Sequence, residues 1–600
     1  HVIDNLTMAA GAHWDILPGL SFDPQVSMFN IYDNSWQFQP AYWDGPRTFV
    51  TSRAASASDY KWHQTQADAV FTYNKSFASV HNLNVKAGFS YFGRKVSTLS
   101  ASGRNAATDL ISTLNASGVP VAVSSSISDQ VVLGYFSRIN YDYKQKYLLS
   151  MNMRYDGASN LGEKHKWGFF PGISAGWNLH KENFWKIFPK DLLQLKLRGS
   201  YGVNGNIGAL GDFTGQGEYG VNAIYGGVAA IQNTVLQNND LQWERSKTVD
   251  VGLDVGIFNG RVNLLVDYYR RVTDNLITTL PLPQSTGFGN ILTNLGSLEN
   301  KGFEFELNGR ITSNSSPFQW NISINAAKTT SKILKLPPNG AEHNRVGGVN
   351  VWNPKTKTYE WMGGLQEGGR IGDMYDRKQI GIYATDEEAL GAPTDMYIPL
   401  ADKTKYGGDV KWQDTDGNGI IDSRDQVYMG NMYPDWTGGF ANSFSYKNFS
   451  LYARLDFTTG HTIFNWARLF FEANLIGDNN MTQRVVDRSW KKQGDIATMP
   501  RYYQNGFYVQ HNNFSGSKTM ASSEYEESGD FLAIREVTLS YSFPTKLLQR
   551  IRMNNLQLHV TGNNLHYFTK YLGLNPEDGG KDDGRYAMPK NIIFGASISF

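Results

Sequence analysis

The 600 residues contain no cysteine, so the sequence excludes disulfide bonds, thiolate metal sites and a cysteine nucleophile. No run of about 18 consecutive apolar residues occurs either, and the sequence therefore predicts no transmembrane helix. Charge of one sign is not in excess: 56 Lys and Arg face 55 Asp and Glu, which argues against nucleic-acid binding through phosphate neutralisation. Aromatic residues (13%) and glycine (60 residues) are abundant, a composition typical of strands that are apolar on one side only.

The last ten residues show the pattern on which the fold prediction depends. Apolar side chains occupy alternate positions, with small or polar residues between them except at Ile593, and this period of two predicts a β-strand with one apolar face. A terminal aromatic residue on such a strand is typical of outer-membrane β-barrels. The apolar positions are Ile592, Phe594, Ala596, Ile598 and Phe600.

The same alternation recurs along the chain in roughly eighteen segments of about ten residues each. Short links and long Gly- and Asn-rich connections alternate between these segments, as they do in outer-membrane barrels. The sequence therefore predicts an all-β, transmembrane antiparallel β-barrel. The predicted short links are 258–261, 313–317 and 446–448, and the predicted long loops are 156–170, 204–240, 272–301, 335–435, 459–530 and 568–590.

Several strings within this pattern resemble the barrel of the SusC/RagA family of TonB-linked outer-membrane transporters. The resemblance runs from about residue 130 to the end of the chain, and jointly the strings are specific for the family. They include Gly134–Tyr141, Arg154–Ser159, Leu197–Asn206, Asn300–Glu304, Gly562–Leu565 and Tyr586–Pro589.

The resemblance implies a 22-stranded barrel in the outer membrane of a Gram-negative bacterium, of which residues 1–600 form most. It implies active import of oligosaccharides or peptides, with a SusD-like lipoprotein as lid, TonB-ExbB-ExbD as energy source, outer-membrane lipid around the wall, and a dimer of transporter-lipoprotein pairs. Members also carry an N-terminal signal peptide, a TonB box and a plug domain, none of which precedes His1. We therefore expect these parts to lie in an N-terminal region outside this chain.

One acidic string inside the predicted extracellular loop 335–435 has the spacing of a calcium loop. Residues 414–425 place oxygen-bearing side chains at positions 1, 3, 5, 9 and 12, a glycine at position 6 and a backbone carbonyl at position 7. An Asp replaces the usual Glu at position 12, which weakens the predicted site. A metal-free acidic turn is the alternative. The predicted Ca²⁺ ligands are Asp414, Asp416, Asn418, Ile420 through its carbonyl, Asp422 and Asp425.

Aromatic residues are concentrated in and beside the same loop. Their rings are suited to stacking on sugars or clamping a peptide, but large aromatics also pack loops and anchor protein interfaces, and both interpretations remain open. The candidate substrate-binding residues are Trp352, Tyr359, Trp361, Tyr375, Trp412, Tyr433 and Trp436.

Two rival functions are weighed against transport. A β-rich surface binding protein or adhesin without transport activity would favour loops of even length. An outer-membrane enzyme would use Ser174, which lies in the string Gly172–Gly176 of the nucleophile-elbow type, but no helix follows that serine, so the string predicts a strand. We expect no enzymatic activity.

Overall fold

The fold is seen in a computed structural model that describes residues 1–187, 189, 192–398, 401–473, 480, 482–501, 523–550 and 552–600. Long antiparallel strands dominate it, which confirms the all-β prediction. In the described part of the chain eighteen strands take part in extended antiparallel sheet, which agrees with the roughly eighteen segments counted from the alternation. Among the described residues, no helix combines the length and the apolar character needed to span a membrane.

The strands of the first half are β1 Val2–Gly11, β2 Trp14–Leu17, β3 Leu20–Gln39, β4 Tyr42–Asp44, β5 Thr48–Val50, β6 Ala54–Phe77, β7 His81–Ala106, β8 Ser117–Tyr143, β9 Tyr147–Ala158, β10 Trp167–Asn178, β11 Leu193–Asn206, β12 Glu218–Tyr225, β13 Val228–Val235, β14 Glu244–Ile257, β15 Val262–Pro281 and β16 Asn290–Arg310.

The remaining strands are β17 Phe318–Lys335, β18 Val349–Asn353, β19 Thr358–Met362, β20 Asp373–Arg377, β21 Gln379–Ile382, β22 Thr394–Asp395, β23 Val410–Trp412, β24 Ile420–Ile421, β25 Gln426–Asn431, β26 Trp436–Tyr446, β27 Phe449–Thr459, β28 Thr462–Asn465, β29 Glu526–Ser528, β30 Phe531–Ser542, β31 Asn555–Thr569, β32 Lys581–Asp582 and β33 Asn591–Ser599. The described helices are α1 Asp386–Ala389, α2 Trp466–Ala473, α3 Gln483–Arg488 and α4 Thr545–Gln549.

The chain divides into two compact units. Unit 1 comprises His1–Trp185, Lys196–Val251 and Arg271–Ser297, and unit 2 comprises Lys186–Leu195, Gly252–Arg270 and Leu298–Phe600. In unit 1 the strands follow one another as antiparallel neighbours in the order β1, β3, β6, β7, β8, β9, β10, β11. In unit 2 the order is β17, β26, β27, β30, β31, β33.

Tight turns join neighbouring strands at one end of each unit. In unit 1, Lys144 and Gln145 between β8 and β9 have φ of 53° and 52°. Two successive residues with positive φ are typical of type I′ hairpin turns. In unit 2, Asn259 and Gly260 have φ of 60° and 71° between β14 and β15, which confirms the predicted Asn-Gly turn. The predicted short link at 446–448 is also confirmed, because Tyr446 pairs with Phe449.

Two rows of aromatic side chains cross the strands of unit 1. Neighbouring rings within the lower row are 4.9–6.4 Å apart, and those within the upper row are 5.0–6.3 Å apart. The lower row, beside the turns, consists of Phe77, His81, Tyr143, Tyr147 and Trp177, and the upper row consists of Phe89, Tyr135, Tyr155, Trp167 and Phe169.

The spacing of these rows matches the thickness of a membrane. On β7 the rows lie about eight residues apart, which is ~27 Å along the strand and ~20 Å along the normal of a bilayer at the usual strand tilt. The outward positions midway between them are apolar: Val85, Ile139, Met151 and Ile173 share one cross-strand row. Apolar residues between two aromatic girdles are the lipid-facing band of an outer-membrane barrel.

The strands are longer than the predicted ten residues. Strands β6, β7 and β8 contain 24, 26 and 27 residues, and their pairing continues well beyond the upper aromatic row. On β7 the apolar alternation stops there and Ser-rich pairs with β8 take over, such as Thr98 with Ser126 and Ser100 with Ser124, whose hydroxyls are 2.7 Å apart. On β8 the exposed apolar residues Val121, Val123 and Ile127 continue the alternation. The predicted loop 272–301 is likewise wrong, because strands occupy all of it except 282–289.

We expect an arginine on the lipid-facing row to destabilise the protein much more than one on the opposite face. Ile173 faces outward at mid-height, whereas the adjacent Ser174 lines a polar cavity of unit 1. Ile173→Arg is expected to lower the free energy of unfolding in lipid vesicles by about 2–4 kcal/mol. Ser174→Arg is the matched control and should cost far less. Urea titration of the vesicle-embedded protein measures both, and equal losses would refute the assignment of the faces.

Candidate functional site

The polar face of unit 2 carries a cavity of about 710 Å³, here called the wall cavity. Its charged lining residues on β16 and β27 occupy alternate positions, such as Glu304 with Glu306 and Arg454 with Asp456. Its polar and charged lining residues include Asp267, Glu304, Glu306, Ser323, Asn325, Tyr452, Arg454, Asp456, Arg535 and Glu577.

Arg535 organises the charges of the wall cavity. Its Nε donates to Asp456 at 2.9 Å and its second terminal nitrogen donates to Glu577 at 2.6 Å. Arg454 donates to both oxygens of Asp456, at 3.0 and 3.1 Å. Two arginines and two carboxylates therefore lie side by side. Each of these groups can give up a hydrogen bond to its neighbour and form one to a hydroxyl, carboxylate or amide of a polar solute.

The sequence analysis did not single out these four residues. Arg454 and Asp456 are two positions apart on β27, so both lie on its polar face. A search for opposite charges two residues apart within an otherwise apolar alternation would have found this pair. Glu577 lies in the loop before β33 and is far away in sequence, so no local signal joins it to Arg535.

The predicted aromatic residues of β19 line a second cavity, of about 550 Å³, here called the loop cavity. Tyr359 and Trp361 are two residues apart and both line it, together with His343, Glu367 and Arg370. Trp361 is held in place from two sides, because its Nε1 donates to the carbonyl of Gly347 at 2.9 Å and Arg345 stacks 4.2 Å from its ring centre. The cavity combines aromatic walls with carboxylates and cations.

Two further predicted aromatics lie close to these residues or are accessible. Trp352 meets Tyr359 edge to face with ring centres 5.1 Å apart. Tyr433 is 54% exposed. Their rings retain surface that a ligand or a partner protein can contact.

The other predicted aromatics pack against protein. Trp412 is 4% exposed, lies in a hydrophobic cluster with Val410 and Ile421, and has the Arg377 guanidinium 4.7 Å from its ring. Tyr375 meets Tyr428 at 5.7 Å, and burial raises the pKa of Tyr375 to about 12. Lys328 lies 5.6 Å from the ring centre of Trp436. For Trp412 this placement favours the packing role over contact with substrate.

Three carboxylates of the predicted calcium loop converge. One oxygen each of Asp414, Asp416 and Asp425 lie within 4.8 Å of one another. Asp414 accepts the backbone N–H groups of Gly417 and Gly419, both at 2.8 Å, so the positive-φ glycines fold the loop around it. Burial and the negative charges of the other two Asp residues raise the pKa of Asp425.

The remaining predicted ligands have other roles in this structure. Both carboxylate oxygens of Asp422 accept from the Arg424 guanidinium, and Arg424 lowers the pKa of Asp422. The side-chain oxygen of Asn418 accepts the N–H of Ile420 at 2.7 Å. The structure thus brings three of the predicted ligands together and directs Asp422 to Arg424.

The loop cavity and the acidic loop share a residue. The hydroxyl of Tyr359 donates to Asp416 Oδ2 at 2.6 Å, and this bond raises the pKa of Tyr359. The Arg424 guanidinium lies 5.5 Å from the centre of the same ring. The position of this aromatic wall therefore depends on the carboxylate of a predicted metal ligand.

A family model described as "TonB dependent receptor-like, beta-barrel" matches residues 2–380. This match covers more than half of the 600 residues. The chain belongs to the TonB-dependent receptor family. Membership places the receptor chain in the outer membrane of a Gram-negative bacterium and confirms the family suggested by the resemblance.

Named relatives support the assignment along most of the receptor chain. TonB-dependent receptor P39 of Formosa agariphila is 31% identical over 588 residues, covering 90% of this chain and 53% of the relative. TonB-dependent receptor SusC of Bacteroides thetaiotaomicron is 27% identical over 486 residues, covering 78% of this chain and 44% of SusC. The receptor chain thus spans about half the length of the curated relatives it matches.

A solved structure, titled the RagAB peptide transporter, has the same fold. It superposes with a TM-score of 0.81 at 21% identity and covers 100% of the receptor chain and 62% of its own chain. The matched family consists of receptors and transporters, not enzymes. Ser174 lies inside β10, as predicted, and no histidine occurs among the described residues that line its cavity.

The small strands beside the loop cavity contain two acids with altered protonation. Burial raises the pKa of Asp376 to about 6. Burial, followed by the charge of Asp376, raises the pKa of Glu526 to about 8, and Glu526 Oε2 accepts no hydrogen bond. Native Glu526 therefore holds its proton over a pH range in which the unfolded chain, with a pKa of 4.5, has lost it.

This difference predicts a pH-dependent effect of Glu526→Gln. The folded pKa lies above the unfolded value, so stability is fully present below about pH 4.5 and falls as the pH rises towards about 8. Gln mimics the protonated acid and is expected to raise the melting temperature at about pH 9 and leave it unchanged at about pH 4. Exposed Glu387→Gln is the control in the same scanning calorimetry. An increase in melting temperature that is equal at both pH values would contradict the raised pKa of Glu526.

Proposed function

We propose that the chain forms the barrel of a TonB-dependent importer of oligosaccharides or peptides. Family membership supports the transport class. The observation that carries the proposal is the charged wall cavity, with Arg454, Asp456, Arg535 and Glu577, on the face opposite the lipid-facing positions. A surface adhesin has no need of a charged inner wall, whereas a transport route for polar solutes does.

The proposed partners follow from the relatives. A SusD-like lipoprotein covers the long loops, TonB-ExbB-ExbD supplies energy through a region preceding the chain, and two transporter-lipoprotein pairs form a dimer. A relative named SusC and a structural neighbour named the RagAB peptide transporter support the lipoprotein partner, and membership of the TonB-dependent receptor family supports the coupling to TonB. The substrate class remains oligosaccharide or peptide, since the aromatic walls of the loop cavity suit sugar rings and its charges suit peptide groups.

Ca²⁺ is proposed to stiffen the loop 414–425. Asp414, Asp416 and Asp425 would hold the ion, since one oxygen of each lies within 4.8 Å of the others and an all-oxygen donor set suits a hard cation. The remaining predicted donors are Asn418, the Ile420 carbonyl and Asp422, of which Asp422 is bound by Arg424 in this structure. Because Tyr359 bonds Asp416, the ion would also fix one wall of the loop cavity.

Import predicts uptake that depends on the proton-motive force. Cells that express the complete receptor are expected to accumulate a labelled oligosaccharide or peptide mixture, and an ionophore should abolish accumulation while surface binding persists. Arg535→Gln should reduce accumulation several-fold, because the Gln loses the ion pairs with Asp456 and Glu577. Exposed Arg550→Gln is the control. Binding without any energy-dependent uptake would establish the adhesin instead.

Calcium is expected to raise the melting temperature of the detergent-solubilised protein. At a tenfold excess over Kd the ion would stabilise the folded state by about 1.4 kcal/mol. Asp416→Ala should abolish the shift, because it removes one of the three converging carboxylates. Asp422→Asn is the matched control within the loop and should retain it, since Asp422 binds Arg424. Differential scanning fluorimetry with calcium or a chelator measures this, and no shift in the parent protein would end the proposal.

A further inference from the structure

A second pair of buried acids lies in the connection between β31 and β33. Asp578 is 9% exposed and Asp582 is 1% exposed. Asp582 belongs to β32, which pairs in parallel with β28, while β28 also pairs with β29. The two acids are therefore held against a small three-stranded sheet that lies outside the long strands and outside the loop 414–425.

The oxygen atoms of these two acids are not equally satisfied. Asp582 accepts from the Tyr571 hydroxyl at 2.6 Å and from the N–H of Gly584 at 2.8 Å. Asp578 Oδ1 accepts one long bond, 3.3 Å, from Asn575. Asp578 Oδ2 is buried and accepts none. A buried carboxylate oxygen without a donor is costly, so a group that the protein does not itself supply is expected there.

Positive charge is lacking around the pair. Among the described residues, no Lys, Arg or His side chain forms an ion pair with Asp578 or Asp582; Lys581 instead pairs with Asp583 at 2.7 Å and is half-exposed. Arg585 is near enough to lower the pKa of Asp578, but burial and the charge of Asp582 raise it overall. Since Arg585 is solvent-exposed, water screens its charge.

We propose that Asp578 and Asp582 form a second divalent-cation site, for Ca²⁺, with Asp578 Oδ2 as its open ligand. Carboxylate oxygens are the donors that Ca²⁺ prefers, and water or backbone carbonyls complete its shell of six to eight ligands. Tyr571 is a positioning residue, because its bond to Asp582 Oδ2 fixes that carboxylate. The site is independent of the proposed transport and of the loop 414–425.

The site would fasten the last long loop to its neighbours. Gly580, with φ of 72°, accepts the N–H of Phe464 at 2.9 Å, and Leu572 donates its N–H to Glu527 Oε2 at 2.8 Å. These bonds already join the loop to β28 and β29. A cation on Asp578 and Asp582 would remove the repulsion that opposes this arrangement and make its stability depend on calcium.

Terbium luminescence tests the site directly. Tb³⁺ replaces Ca²⁺ and emits when a nearby tyrosine absorbs, and Tyr571 lies in contact with the proposed ligand Asp582. The complete, detergent-solubilised protein carrying Asp416→Ala serves as parent, so that the loop 414–425 gives no signal through Tyr359. We expect saturable emission that Ca²⁺ displaces. Asp578→Asn should weaken terbium affinity by about tenfold or more, and Asp583→Asn should leave it within about twofold.

Thermal unfolding separates loss of binding from loss of folding. Asp578→Asn removes one of two like charges, so without calcium its melting temperature should equal or exceed that of the parent. With calcium the parent should gain stability and the variant should not. The proposal is overturned if the parent gives no saturable emission or if Asp578→Asn binds terbium like the parent. It is also overturned if lowering the pH stabilises the parent while adding calcium does not, because Asp578 would then be satisfied by a proton.

Discussion

Backbone hydrogen bonding between neighbouring strands is the constraint on which the rest of this structure depends. In lipid no water is present to satisfy an N–H or C=O group, so each residue of the band between the two aromatic rows has to pair across the sheet. Pairing makes side chains alternate strictly between two faces, and this places Ile173 beside lipid and Ser174 beside a polar cavity. Within unit 1 the apolar row and the polar cavity are therefore two consequences of one backbone arrangement, because a shift of register by one residue would exchange the two faces.

The part of the fold that sequence reasoning predicted is the part that this constraint controls. Strands such as β33 and β27 alternate in sequence because one face meets lipid, and the turn between β14 and β15 carries an Asn-Gly signal. Strand ends were predicted poorly for the same reason. On β7 the apolar signal ends at about Tyr91, above the upper aromatic row, while backbone pairing with β8 continues to Ala106. Hydrophobic periodicity indicates where the two faces of a strand meet different environments, and it does not indicate how far the strand extends.

In the loops, sequence reasoning could predict only what local spacing determines. The interval between Asp414, Asp416 and Asp425 was enough to predict that their carboxylates meet. It did not show that Arg424, only two residues further on, would bind Asp422. It could not show that Trp412 would be buried with Arg377 against its ring, because that contact depends on how distant segments pack. The partnership of Arg535 with Glu577, 42 positions apart, is of the same kind. Residue spacing predicts which side chains of one loop can bind a common ion, and it does not predict which other side chains will bind those ligands instead.

The wall and the loops differ in what stabilises them. Paired backbone groups and lipid hold the wall, and neither depends on the ions of the surrounding solution. The loops bury carboxyl groups instead: burial raises the pKa values of Asp376 and Glu526, and Asp425 and Asp578 lie beside other acids. Each buried negative charge needs a proton or a cation from solution, since the described ion pairs leave these groups without a full partner. The loop that carries Tyr359 and the loop that carries Tyr571 are thereby coupled to the composition of the medium, while the wall that carries Arg535 is not.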